Sequence, residues 1–477
     1  MNRDSNALAS RDAQPRPRSL PAASVARVSL PAVMAAVVCA DTLGRLHELL
    51  PYGDRIPIAK ILFPVGLLLL ATSAGAQFRM RAFRTTQAFG FLLFGIAALL
   101  SVPTSLVRGA AFQYVLTFGY GVVPYVIIVA AGSRSAHELK LIFRGITIAV
   151  ICLAAVMVLG GGFSEGDRIS AGLTYDANDI ALVAVVCLPF ATSLLRETPR
   201  IWRMIGIGGA CSAMLVVALS ASRGGVVAAI AVLLVTIVRA RYNLPKRWKL
   251  LLVPTAALVL AFAPPVFWER VTTMGDLSSD YNVTSDGGRV QIWKRGLKTF
   301  VARPIVGVGG GLFASADGAS PDRLGADDQS WHTAHNSIIQ IGVELGLVGL
   351  IGMLCLHLPT LRAARQARRL AAIGVIDAEM AGLGEALFLS IVGFYVGGMF
   401  LSAGDSYASF TLAALGMSYT ALLRARVDGP VRDVIVTTLG RKSGWRSTRE
   451  ARPLVTACIS AAFRSQRLLI PASTTDR

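Results

Sequence analysis

The chain has 477 residues, 54% of them apolar and 16% charged, with a formal net charge of +19. Soluble domains carry roughly 25% charged residues. The deficit of charge and the many long apolar runs exclude an ordinary soluble enzyme and point to an integral membrane protein. The excess of basic residues does not call for nucleic acid, because they fall mostly in short connections between apolar runs, as the positive-inside rule describes.

Taken in chain order, residues 1–27 are polar and rich in Arg and Pro, unlike a signal peptide. We read 1–24 as a cytoplasmic tail leading into the first span. A membrane helix needs about 20 mostly apolar residues. Twelve segments qualify: 25–42, 56–74, 86–103, 113–131, 141–160, 178–195, 202–220, 223–239, 250–268, 336–357, 383–402 and 406–424. Together, 25–424 make the transmembrane domain of an all-α, polytopic helical bundle. With the N-terminus in the cytoplasm, the inner connections should be basic. They carry Arg79, Arg81 and Arg84; Arg134, Lys140 and Arg144; Arg196, Arg200 and Arg203; Arg239 to Lys249; and Arg362, Arg365, Arg368 and Arg369. The outer connections are mixed or acidic. This alternation places both termini in the cytoplasm. The tail 425–477 is basic, and its role is not legible. The six cysteines show no metal or disulfide spacing, and five of them sit in or beside apolar runs as small core residues.

One outer connection, 269–335, is long enough to suggest function. Within it the sequence predicts an amphipathic helix from about Arg289 to Val301. Val290, Trp293, Leu297 and Phe300 form the apolar stripe, with Lys294, Arg295 and Lys298 on another face. Such a helix can also simply lie on headgroups. The run Gly307-Val308-Gly309-Gly310-Gly311 lacks the GK[ST] ending of a phosphate loop and reads as a tight turn where backbone approaches a partner.

Several polar residues gather on the outer side. Arg223 is the only charge between two apolar runs and lies against the positive-inside trend. It either snorkels to headgroups or captures an anion, for which a guanidinium is well shaped. The same logic applies more weakly to Arg168 and Arg289, and together they suggest a lipid-linked phosphate or diphosphate. His332 and His335 open the tenth span. At a helix N-terminus the positive dipole end disfavours imidazolium, so His335 should be neutral and able to act as a general base. Capping, packing and metal ligation are the alternatives, and no third ligand stands at a recognised metal spacing. Asn336, Gln340 and Glu344 fall on one helical stripe. Glu344 reads as a buried structural residue that could also orient His335 through this stripe.

These residues resemble a known family. Gly288-Arg289, Trp293, Pro304 and Gly307-x-Gly309, then Ala334-His335-Asn336-Ser337 and Glu344-x-Gly346-x-x-Gly349, are similar to motifs of the O-antigen ligase and polymerase superfamily of bacterial membrane glycosyltransferases. The Ser222-Arg223-Gly224 turn and the stretch from Arg168 to Asn178 look like its upstream motifs. The resemblance implies a glycosyltransferase C-like bundle in the bacterial inner membrane, with its active site facing the periplasm. It implies transfer of an undecaprenyl-diphosphate-linked glycan to an acceptor hydroxyl, without metal or cofactor. Arg223 and Arg289 would hold the diphosphate, with Arg168 beside them, and His335 would activate the hydroxyl. His332, Asn336 and Glu344 would support them. Its partners would be the lipid-linked donor, a glycan or lipid-linked acceptor, the bilayer and other polysaccharide-assembly proteins, with no nucleic acid. The stretch 312–330 does not match the family pattern, so ligase and polymerase both stay open. We lean to a polymerase or exopolysaccharide-type member, since nothing points to a lipid A core acceptor. A twelve-span transporter or flippase is the alternative function, and a non-enzymatic scaffold ranks last.

Overall fold

The computed structural model describes residues 28–49, 58–75, 79–159, 176–239, 288–323 and 331–439, with isolated positions at 265, 268 and 285. The tail 1–24, the ninth expected span, Arg168 and the tail beyond 439 lie outside these residues. Among the described residues the fold is all-helical. Its helices are α1 (Leu30–Gly44), α2 (Ile58–Thr72), α3 (Thr86–Thr104), α4 (Arg108–Gly132), α5 (Ala136–Leu159), α6 (Ala177–Arg196) and α7 (Arg200–Leu219). There follow α8 (Arg223–Arg239), α9 (Arg289–Ala302), α10 (Phe313–Gly318), α11 (Ser337–Ala372), α12 (Ala378–Gly398) and α13 (Tyr407–Leu439). Seven of them, α3 to α7, α11 and α12, are long and apolar enough to cross a membrane. The first two are apolar but only 15 residues each.

Helices α6 and α12 form the centre of the bundle, each 83% buried over its most apolar stretch. Helix α12 packs against α6, α8 and α11; α3 lies along α11, and α1 along α5. In lipid the apolar effect does not drive helices together, so packing and interhelical hydrogen bonds must do so. Phe91 and Phe94 of α3, Phe118 of α4 and Phe410 of α13 form one aromatic cluster with centroids 5.3 to 5.9 Å apart. Such pairs contribute roughly 0.5–1.5 kcal/mol each beyond area. Gln87 Nε2 of α3 donates to Thr360 Oγ1 of α11 and Thr420 Oγ1 of α13 at 3.0 and 2.7 Å, joining three helices in the core.

The structure departs from the sequence reading in three places. Helix α11 runs to Ala372, through the region read as a basic connection. The reason is a second periodicity there: Ala363, Ala364, Ala367 and Leu370 are buried, while Arg362, Arg365 and Arg369 are exposed. Helix α13 likewise continues past 424 to Leu439. Within α9, the inward face is Ile292, Arg295 and Gly296, whereas Leu297 and Val301 are exposed. Arg295 is inside because Asp317 of α10 pairs with it at 2.7 Å, both side chains being nearly inaccessible. A buried guanidinium needs such a partner, and the acid lies 22 residues further on in a stretch with no recognisable pattern.

Candidate functional site

One end of the bundle gathers the N-termini of α6, α8, α9 and α11 and the connection between α12 and α13. Each N-terminus is set by local chemistry. Asp176 caps α6 by accepting from Asn178 N and Asp179 N at 2.7 and 2.9 Å, and Asp179 returns a bond to the Asp176 amide. Asn336 caps α11 by accepting from Ile338 N and Ile339 N at 3.0 and 3.1 Å. Arg223 and Arg289 occupy the first helical positions of α8 and α9.

The connection 399–405 is the frame that α11 docks on. The His335 amide donates to Ser402 Oγ at 2.9 Å, and Ser337 Oγ donates to Leu401 O at 2.8 Å. Gln340 bridges Asp405 Oδ1 and the Gly404 amide at 3.0 and 3.2 Å. The residues on either side of Arg223 pack against α6 and against this frame. Ser222 Oγ donates to Asn178 Oδ1 at 2.9 Å, two residues from Asp176. A Cβ on Gly224 would lie 2.7 Å from Phe400 Cβ, two residues from Ser402.

His335 sits at φ +46°, left-handed for a residue with a Cβ, and Ala221 beside the Arg223 turn is at +48°. Such a conformation costs roughly 1–2 kcal/mol and concentrates at functional sites. Trp293 Nε1 of α9 donates to Ala334 O at 2.8 Å and fixes the residue before His335. Thr333 Oγ1 lies 3.3 Å from His335 Nε2, while Nδ1 is buried and has no hydrogen-bond partner among the described residues. Burial holds the His335 imidazole below the usual histidine range; Arg289 and His332 push the same way, against the pull of Asp176. The ring is thus neutral at pH 7, with Arg289, Asp176 and His332 all within electrostatic reach. A neutral imidazole beside arginines can accept a proton while they hold an anion.

The other expected residues are placed as follows. His332 is half-buried, its Nδ1 3.5 Å from Asp317 Oδ2, so it belongs to the Arg295–Asp317 cluster. Glu344 accepts from the Gly311 and Phe313 amides at 3.0 and 3.2 Å and, among the described residues, makes no bond to His335. Its carboxylate thus anchors the glycine-rich segment, and a side-chain hydrogen bond also relates it to Gln340 on the same stripe. That segment lies along a break in α11. At Gly346 (φ 65°, ψ −161°) the helix ladder is interrupted. The freed groups bond to the segment: Val308 N to Val343 O at 2.9 Å, Gly309 N to Glu344 O at 3.0 Å, Leu347 N to Pro304 O at 2.7 Å and Val348 N to Ile305 O at 3.3 Å. A Cβ on Gly346 would run into the Ile305 carbonyl, and one on Gly307 into that of Glu344. The tight approach expected of the glycine run is thus made against α11. Ser402, Asp176 and Asp317 were not assigned roles from sequence. Only long-range contact gives them one, although the Asp176-x-x-Asp179 spacing does carry a capping signal.

Among the described residues no group of three or more His, Cys, Asp or Glu is close enough to hold a metal ion. Residues 207–354 match the family model described as O-antigen ligase. This span covers α8, α9 and α10, the broken part of α11, and all the expected site residues except Arg168. The chain is also 30% identical over 122 residues to a Rickettsia conorii protein described by its name only as a candidate polysaccharide ligase. That alignment takes in 24% of this chain and 29% of the length of the relative. The motif resemblance and the matched span agree, and both support a likeness of residues 207–354 to the O-antigen ligase and polymerase superfamily.

Proposed function

We propose that the protein transfers a glycan from an undecaprenyl-diphosphate carrier to an acceptor hydroxyl, as a polymerase or ligase. In this reading the bundle crosses the bacterial inner membrane twelve times with both termini in the cytoplasm, and the end carrying His335 faces the periplasm. The observation that carries the reading is His335 itself: a neutral imidazole on a left-handed backbone, in the field of Arg289, on the same 399–405 connection that Gly224, next to Arg223, packs against.

The chemistry balances with these groups. His335 removes the proton from the acceptor hydroxyl as its oxygen forms a bond to the anomeric carbon. The bond from that carbon to the diphosphate oxygen breaks, and the leaving diphosphate carries the electron pair. Arg223 and Arg289 stabilise the charge that develops on it, which is where fixed cations accelerate a reaction. Nε2 is the ring nitrogen on the exposed side, 3.3 Å from Thr333 Oγ1, and is the one that an acceptor hydroxyl can reach. Arg168 is proposed as a third cation for the diphosphate. The reading uses neither metal nor cofactor.

A transporter reading draws on the break in α11, since broken helices in transporters offer freed backbone groups to ligands. Here those groups are bonded to the 304–309 segment, which favours a scaffold role for the break. Purified protein in proteoliposomes, given lipid-linked repeat units, should yield a new glycosidic bond. Substrate movement across the vesicle without bond formation would favour transport instead. The length and attachment of the product separate polymerase from ligase.

A further inference from the structure

The opposite end of the bundle holds a group of cations that the proposed chemistry does not use. Arg239, the last residue of α8, places its guanidinium 4.1 Å from the centroid of Phe388 on α12. Arg365 of α11 approaches the same ring at 5.6 Å. Arg368, one residue short of a turn further along α11, lies with Arg365 within electrostatic reach of Arg239, and the carboxylate that faces them is the buried Glu385. Two guanidiniums thus approach one aromatic ring from two helices, with Arg368 in electrostatic reach of the first and Glu385 as the acid that acts on it.

Their neighbours at this end are treated differently. Arg134 pairs with Glu138, Arg144 with Glu197, Lys140 with Glu379 and Arg426 with Asp377. Arg79 is spent on the Ala131 and Gly132 carbonyls and Ser29. For Arg239, Arg365 and Arg368 no carboxylate stands within ion-pair distance among the described residues. Like charges held together repel unless an anion joins them. The cation–π contact with Phe388 uses none of the N–H donors of the Arg239 guanidinium. A phosphate can accept two parallel bonds from such a group.

The surface leading to the cations is apolar. On α8, Leu234 and Val238 are exposed immediately before Arg239, Val238 at 85%. On α11, Leu354 and Leu358 are exposed on the stripe that continues to Arg365. An exposed apolar stripe ending in guanidiniums with no ion-pair partner among the described residues matches a molecule with acyl chains and an anionic phosphate head. Basic pockets between membrane helices bind such headgroups.

We propose that Arg239 and Arg365, both against Phe388, form with the neighbouring Arg368 a binding site for the phosphate headgroup of an anionic membrane lipid at the end of the bundle opposite His335.

The test uses the full chain purified in a zwitterionic detergent and titrated with phosphatidylglycerol in mixed micelles, followed by thermal shift and by native mass spectrometry. Phosphatidylcholine and inorganic phosphate serve as the comparison arms. Phosphatidylglycerol should bind and stabilise the protein, and Arg239→Gln with Arg365→Gln and Arg368→Gln should weaken its binding at least tenfold. If that triple variant does not fold, the double variant Arg365→Gln, Arg368→Gln, in which the partly buried Arg239–Phe388 contact is kept, should still weaken it several-fold. Equal phosphatidylglycerol binding by the wild type and the variants overturns the proposal. So does an equal stabilisation by phosphatidylcholine, or one by inorganic phosphate at the same concentration, which would mark a free-ion site with no lipid preference.

Discussion

The break in α11 makes a sharp quantitative prediction through Gly346→Ala. At φ 65° and ψ −161° the backbone occupies a region that is essentially glycine's alone, and a non-glycine residue there costs about 1–3 kcal/mol. The new methyl would also meet the Ile305 carbonyl. The helix can relieve both by becoming continuous, but the Pro304–Gly309 segment then loses its four backbone bonds to α11. The α11 groups regain helical partners, so the loss falls on the segment's own two donors and two acceptors. At roughly 0.5–1.5 kcal/mol per bond, with some replaced by water, the total destabilisation is on the order of 3–5 kcal/mol. The assay is denaturant or thermal unfolding of the purified protein in detergent. Gly374→Ala is the control: Gly374 also has positive φ (76°), but a Cβ there meets nothing within 4 Å. It should cost only about 1–2 kcal/mol. If the two variants are equally stable, the account of the break as a docked, glycine-dependent junction is wrong.

Three further outcomes follow from the same geometry. Asp317→Ala leaves the Arg295 guanidinium in a buried site without its 2.7 Å partner and should cost about 3–5 kcal/mol in unfolding; an unchanged unfolding midpoint would contradict the buried-pair reading. Glu344→Gln keeps one acceptor but turns an NH2 group toward the Gly311 or Phe313 amide. That should cost about 1–3 kcal/mol, with the loss seen as faster hydrogen exchange at 311–313. The third concerns pH. A general base must be neutral, and the His335 imidazole is held below its ordinary 6.5, so the acid limb of activity should fall below pH 6.5. The same depression means that the unfolded chain binds the extra proton first as pH drops below 6.5, so stability also declines through that window. Asp176→Asn still caps α6 but removes a charge that favours imidazolium. Its activity limb should therefore move to lower pH; an unchanged limb would show that Asp176 does not act on His335.

Much of this was legible in the chain itself, for physical reasons that differ from feature to feature. Helices stand at eleven of the twelve expected spans among the described residues, because lipid forces backbone groups to pair locally and so writes long apolar runs into the sequence. Arg223, Arg289 and His335 stood out because charge near apolar runs is costly and demands a reason. The structure places Arg289 in the field of His335 and ties the Arg223 turn to the same frame. What remained hidden depends on partners far away in sequence. Arg295 looked like one more basic residue on the face of an amphipathic helix, and only Asp317 makes it a core group. Glu344 shared a stripe with Asn336, and only the Gly307–Phe313 segment shows which way its oxygens turn. The basic stretch from Arg362 looked like a connection because charge outweighed the Ala363, Ala367 and Leu370 periodicity beneath it.

In the proposed function His335, Arg223 and Arg289 act as one transfer site. Its most direct test is the product formed from purified lipid-linked repeat units by wild-type protein and by His335→Ala, Arg223→Ala and Arg289→Ala, each shown to be folded and inserted. The account predicts that wild type forms a glycosidic bond and that each variant loses product by about 100-fold or more, the range expected for a general base or a charge-stabilising donor. Product at the wild-type level from all three variants would contradict it.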